Sequence, residues 1–263
     1  MNRIFALSFC LIFAVSVTFA QQHAPAKPEN KETTKTETTK PDNTKSALPT
    51  VEQILAKFDE VTNSKALGSK IKSMVAKGTF EIPALGLKGT AEVYSKAPNK
   101  NLTVITIPDF GVIMEGFDGQ TAWAQDPATG LRQKKGEELA VAKRSSDISR
   151  NLNLYYSKFE LKGIEKVNDS DAYVIVATPK EGKTETWYFD VKSGLQVRSD
   201  MTSVSPQGEM PVQSFIDDYR DVEGVKMAFF TRQVTAAFTA HIKIEEVKIN
   251  VAIDDAKFVM PKQ

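Results

Sequence analysis

The sequence predicts an α+β protein dominated by strands: a curled antiparallel sheet forming an unclosed β-barrel, with helices covering its concave apolar face. Three observations predict it. From Ser69 onward the apolar period is two over most of the chain, interrupted by short turn clusters. Helical periodicity appears in only two places, around residues 51–66 and 137–155. One large antiparallel sheet with an apolar face must curl or be covered, and those helices are the available cover.

The N-terminal residues read differently. Residues 1–20, MNRIFALSFCLIFAVSVTFA, have a basic start at Arg3, an apolar stretch from Ile4 to Val17 and small residues at Thr18-Phe19-Ala20. That is the pattern of a secretory signal peptide, and the stretch is short for a retained transmembrane anchor. The only cysteine of the chain, Cys10, lies inside it and follows Phe9. A lipid-anchored cysteine requires a small residue there. The expected mature protein is therefore exported, periplasmic and soluble, free of disulfides, and stabilised by its core alone. Residues 21–49 are rich in Lys, Thr, Glu and Pro and almost free of apolar side chains. Such a segment cannot bury enough surface to offset its ordering entropy and reads as a disordered tether. Residues 50–263 then form one domain.

Its first element is a helix. Thr50-Val51-Glu52-Gln53 is a capping box. Val51, Ile54, Leu55, Phe58 and Val61 share one face behind it, and Gly68 is the expected stop. Strands follow. Met74, Ala76, Gly78, Phe80 and Ile82 share one face of the first, and Val75, Lys77, Thr79 and Glu81 the other. Pro83–Gly86 turns the chain, Ala91 and Val93 alternate against Glu92 and Tyr94, and Pro98–Asn101 turns it again. Later hairpins bend at Asp118-Gly119, Lys192-Ser193-Gly194 and Glu223-Gly224, where glycine supplies the positive φ. Between the strand groups, Leu139, Ala142, Ile148, Leu152 and Tyr155 give a partial helical stripe, with Ser145-Ser146-Asp147 as a break point. The last run places Phe238, Ala240, Ile242 and Ile244 on one face, then Val247, Ile249, Val251 and Ile253 in the opposite register. A β-bulge at Glu245-Glu246 restores a single face.

Several chemistries are disfavoured by composition. The net charge is +1 with both signs interspersed, and no basic stripe exists to bind nucleic acid. The two histidines are His23, in the tether, and His241, on the polar side of its strand. No G-x-S-x-G elbow is present, and zinc sites normally need several His or Cys ligands, which the chain has only in His23, His241 and Cys10. Catalytic and metal-binding residues are therefore expected to be absent. Carboxylates leave one enzymatic alternative, a hydrolase using Asp118, Asp126 and Asp217. Against it, the adjacent pairs Asp217-Asp218 and Asp254-Asp255 point to opposite faces of a strand, and the loop of Asp118 and Asp126 lacks the calcium-loop pattern. Two sequons, at Asn101 and Asn168, matter only where the host glycosylates. What remains is apolar and aromatic. Met74, Phe80, Val93, Val104, Met114, Trp123, Leu139, Leu152, Trp187 and Phe189 are the expected lining of a cavity between curled sheet and helices.

The segments GFDGQTAWAQDPATG (116–130), WYFDVKSGLQVR (187–198) and FIDDYRDVEGVKMAFF (215–230) resemble the exported LolA-like group, which includes outer-membrane lipoprotein-sorting carriers. The resemblance runs over residues 50–260. It implies an unclosed barrel, a helical lid and a hydrophobic cavity for lipid or a lipoprotein's acyl chains, with no cofactor and no turnover. One feature departs from the sorting carriers, in which an arginine on an early strand helps gate the cavity. Here the first arginine after Arg3 is Arg132. The expected function is thus a non-enzymatic lipid or acyl-chain carrier of the cell envelope, touching the membrane at most peripherally. The alternative is an envelope sensor or interaction module that binds a protein partner.

Overall fold

The computed structural model describes residues 48–64, 70–149 and 151–262. The expected signal peptide, most of the tether and the stop at Gly68 lie outside these residues. Thirteen strands form one antiparallel sheet. They are β1 (Ser73–Ile82), β2 (Leu87–Lys96), β3 (Lys100–Ile107), β4 (Gly111–Phe117), β5 (Ala122–Asp126), β6 (Gly130–Gln133), β7 (Tyr156–Val167), β8 (Ser170–Pro179), β9 (Glu185–Asp190), β10 (Gln196–Ser205), β11 (Gly208–Val222), β12 (Val225–Val234) and β13 (Thr239–Ile249). Among the described residues three α-helices accompany them: α1 (Val51–Thr62), α2 (Gly136–Ser146) and α3 (Leu152–Tyr155).

The strand order is β6-β5-β4-β3-β2-β1-β13-β12-β11-β10-β9-β8-β7. Each half is a meander, and the halves join where the first strand pairs with the last. The edges are β6 and β7, which are consecutive in sequence and do not pair, so the barrel stays open. The chain between those edges is the α2–α3 segment. It crosses from one rim of the sheet to the other.

Period-two alternation sorts the side chains as the sequence predicts. Met74, Ala76, Phe80 and Ile82 of β1 meet Val93 and Ala91 of β2, Ile105 of β3, Ile242 and Ile244 of β13, and Met227 and Phe229 of β12 in the central core of the inner face. The bulge in β13 is present. Lys77 pairs with Glu246 and Gly78 with Ile244, leaving Glu245 as the extra residue. The inserted residue keeps Val247 and Ile249 on the same face as Ile242 and Ile244.

Helix α1 has the predicted capping box: the Thr50 hydroxyl accepts from the Gln53 amide, and the Gln53 side chain accepts from the Thr50 amide at 2.8 Å. It ends earlier than the periodicity suggests, because Asn63 takes the left-handed conformation and its amide returns to the carbonyls of Asp59 and Glu60. Ile54, Leu55 and Phe58 face inward onto β8 and β9, where they meet Ile175, Ala177, Trp187 and Phe189.

Two elements differ from expectation. The 137–155 segment breaks after Ser146, at the expected Ser145-Ser146-Asp147 position, where the Asp147 carboxylate accepts from the amide and hydroxyl of Ser149 and holds the chain in a turn; what differs is the face it buries. The predicted apolar stripe on α2 is not its buried face. Leu139 and Ala142 are half-buried, while Ala140, Ser146 and the Arg144 side chain lie inside. Secondly, the last strand stops at Ile249. Asn250 has φ 56° and turns the chain, so Val251 and Ile253 do not continue β13. They begin a C-terminal strap on the outer face of β1–β6. There Val251, Ile253, Phe258 and Met260 pack on Val75, Tyr94, Leu102, Val104, Met114, Trp123 and Leu131.

Candidate functional site

The concave face beneath α1 is the apolar part of the site. Its floor is an aromatic group: Trp187 and Tyr156 meet edge-to-face at 5.1 Å, Phe159 lies 5.7 Å from Trp187, and Phe58 of α1 meets Phe189 edge-to-face at 5.4 Å. The helix is docked through its apolar stripe. At its end the Asn63 side chain donates to the Gly224 carbonyl of the β11–β12 hairpin at 2.7 Å. In mid-helix the aliphatic stem of Lys57 lies against Gly194 of the β9–β10 turn.

Of the ten candidate lining residues, Met74, Phe80 and Val93 reach the central inner core, and Leu152, Trp187 and Phe189 the group under α1. Val104, Met114 and Trp123 point the other way, under the strap, and Trp123 donates its indole N–H to the Phe258 carbonyl at 2.8 Å. Register decides this. Phe117 pairs with Ala122 and Gly116 with Trp123, so Trp123 takes the outer face. Gly116 is the position that makes room: a Cβ there would lie 2.2 Å from a Trp123 ring carbon. Leu139 sits half-buried on α2.

A polar group borders the apolar floor, and the periodicity did not single it out. Glu185 of β9 sits on the same face as Trp187 and Phe189, with its side chain 8% exposed. One carboxylate oxygen accepts from Nε and Nη2 of Arg144 at 2.9 and 2.7 Å. The other accepts from the Tyr156 hydroxyl at 2.8 Å and the Trp187 indole at 3.2 Å. Burial works against the Arg144 charge, but the Glu185 carboxylate and the Tyr156 hydroxyl more than offset it and hold the guanidinium above its ordinary range. The signal for Glu185 was legible: an ionised side chain in phase with an apolar strand face needs a buried partner.

The other end of α2 is held in the same way. Arg132 of β6 makes a two-pronged pair with Glu138, at 2.9 and 2.7 Å, and this bonding raises its pKa. Helix α2 is thus clamped by one Arg–Glu pair to each half of the open sheet. Between the helix, the inner side of β3, β4 and β6, and Thr202–Val204 of β10 lies a cavity of about 70 Å³. Its wall includes the Arg132–Glu138 pair and the Lys134–Glu115 pair, the latter at 2.8 Å. That volume is well below the ~300 Å³ of a small-ligand site. Phe58, Phe80 and Phe189 are fully buried in the interior.

The carboxylates of the enzymatic alternative are occupied locally. Asp118 accepts from the amides of Gln120 and Thr121, and Asp126 from those of Ala128 and Thr129, each closing its own turn. Asp217 accepts from the Asp218 amide. His241 lies edge-to-face with Phe230. Among the described residues there is no cluster of three or more His, Cys, Asp or Glu able to hold a metal, and no helix long and apolar enough to cross a membrane. The sequon residue Asn101 is a strand residue whose side chain donates to Ser95 inside the fold.

No family model matches the sequence. No curated protein matches it either. Solved structures do match its shape. A LolA superfamily protein from Nitrosomonas europaea superposes with a TM-score of 0.54 at 15% identity, covering 81% of this chain and 98% of that one. A DUF1329 family protein from Desulfovibrio piger gives 0.52 at 15% identity over 78% and 97%. A putative outer-membrane lipoprotein-sorting protein domain from Vibrio parahaemolyticus gives 0.52 at 12% identity over 77% and 96%. At these identities the likeness is one of fold, and the fold is LolA-like.

Proposed function

We propose that this chain is an exported, non-enzymatic protein of the cell envelope that binds lipid or lipoprotein acyl chains on the concave face of its sheet, with α1 as the lid. One observation carries this reading. The lid is an amphipathic helix whose stripe of Ile54, Leu55 and Phe58 covers an apolar and aromatic floor through side-chain packing. An acyl chain offers the same chemistry. Each methylene it buries contributes about 0.8 kcal/mol, so a long chain repays the exposure of three apolar helix residues. The described conformation is the closed one, with the space taken by the lid's own side chains. The LolA-like fold agrees with a carrier, and solved proteins of that shape include one named for lipoprotein sorting.

A second reading is a module that binds a protein partner on its surface. It is favoured by the small size of the cavity beside α2, about 70 Å³, whose wall is crossed by two ion pairs. Native mass spectrometry of protein purified from an envelope-competent host separates the two. Adducts of lipid mass, and displacement of a fluorescent fatty-acid probe, are expected for the carrier. Protein that is consistently lipid-free and takes up no probe refutes it and leaves the interaction module.

A further inference from the structure

We infer that the cavity beside α2 binds a zwitterionic headgroup bearing a phosphate and a primary ammonium, of the phosphoethanolamine type. The inference rests on the acyl-binding reading and supplies the polar end of the ligand. The cavity wall carries two cations and two anions already joined as pairs, Arg132 with Glu138 and Lys134 with Glu115. A simple anion entering here meets two carboxylates, and a simple cation meets a guanidinium and an ammonium. Only a ligand with both signs can exchange with the pairs and leave no buried charge alone.

Arg132 adds a second observation. Its Nη1 and Nη2 are taken by Glu138, but its Nε is buried and has no hydrogen-bond partner. Arg132 is a wall residue, and a phosphate that displaces Glu138 lets the guanidinium turn so that Nε and Nη2, one edge of the fork, donate to two phosphate oxygens. The ammonium of the same ligand then falls to Glu115 or Glu138. Ser203, on the inner face of β10 in phase with Ser199 opposite Trp187, joins the wall, and Phe117 and Val141 give it an apolar flank. The acyl chains of the same ligand belong on the concave face.

The test titrates the mature chain with dihexanoyl-phosphatidylethanolamine, dihexanoyl-phosphatidylglycerol and free O-phosphoethanolamine by calorimetry. Phosphorus NMR of O-phosphoethanolamine serves as a readout that needs no variant. The ethanolamine lipid is expected to bind at least about tenfold tighter than the glycerol lipid, a difference of roughly 1.4 kcal/mol. Glu115→Gln with Glu138→Gln is expected to erase that preference, and Arg132→Gln with Lys134→Gln to weaken both lipids. Equal affinity for the two lipids in the wild type, or a preference that survives the glutamate variants, overturns the inference. Binding of O-phosphoethanolamine alone, with no gain from the chains, supports the cavity and assigns it to a free phosphate ester. If fatty-acid probes bind but the headgroup makes no difference, the acyl reading stands and this one falls. If the headgroup binds and the probes do not, the reverse holds.

Discussion

Arg144 of α2 and Glu185 of β9 form an ion pair in which both side chains are under 10% exposed, and the second oxygen of Glu185 is taken by Tyr156 and Trp187. Four donors converge on one carboxylate, so the crossing helix and the aromatic floor share a single anchor. Breaking such a pair from one side leaves a buried charge uncompensated, at a cost of about 3–5 kcal/mol. Glu185→Ala is expected to lower the melting temperature by on the order of 10 °C, at ~2–4 °C per kcal/mol for a chain of this size. Glu185→Gln, which retains hydrogen bonding to Tyr156 and Trp187, is expected to lose less. Thermal unfolding followed by circular dichroism measures both. A loss under ~1 kcal/mol for the alanine variant would show that the pair does not anchor α2.

The lid can be locked. A Cβ built on Gly194 lies 3.8 Å from the Cβ of Lys57, the separation found across disulfides. Lys57→Cys with Gly194→Cys places a bridge between α1 and the β9–β10 turn in a mature chain expected to have no other cysteine. Gly194 has φ 73°, so cysteine there costs about 1–2 kcal/mol of backbone strain, and the single Gly194→Cys variant controls for it. The oxidised double variant is expected to lose fatty-acid probe uptake, and reduction to restore it. Uptake that is indifferent to the bridge would place the ligand away from α1.

Trp123 and Gly116 are a fitted pair on the outer face. Gly116→Ala puts a methyl inside contact distance of three ring atoms, at 2.2–2.4 Å, so the indole must move and its bond to Phe258 must stretch. Overpacking of this kind costs about 1–3 kcal/mol. Urea unfolding should show a lower midpoint with an unchanged slope. Acyl binding should be retained, because Trp123 lies on the face opposite Trp187. A loss of binding in a folded Gly116→Ala protein would contradict that division of faces.

The C-terminal strap is pinned by charge. Lys100 at 2.8 Å and Lys96 at 2.7 Å hold the Asp255 carboxyl down to about 2 from its ordinary 3.8. Because the folded value lies below the unfolded one, the contact contributes stability above about pH 4, and that contribution is lost as pH falls from about 4 to about 2. Amide exchange at Lys257 and Val259 should therefore accelerate through that window, relative to neighbouring strands. Asp255→Asn should exchange faster at neutral pH and show no such step. Identical profiles for the two proteins would remove the pair from any role in holding the strap.

Much of the fold was legible in local pattern. The capping box at Thr50, the inward stripe of α1, the alternation of β1 and the extra residue at Glu245 all depend on neighbours in sequence, where the periods of helix and strand act directly. The sites were less legible. Nothing local to Trp123 says which face its strand presents; that follows from pairing with Gly116, and from the turn at Asn250 that sends the last apolar residues to the outer face.

By itself the sequence determined the element types, the curled antiparallel plan and the apolar character of the interior, because alternation and turn chemistry are short-range properties of the chain. Tertiary structure alone decided that β1 pairs with β13, that β6 and β7 remain unpaired, and that Arg132 and Arg144 stand at the seam, each beside its own glutamate. Glu185 and Arg144 are 41 residues apart in the chain. A buried charge finds its partner through space, and only the curled sheet with its crossing helix brings those two together.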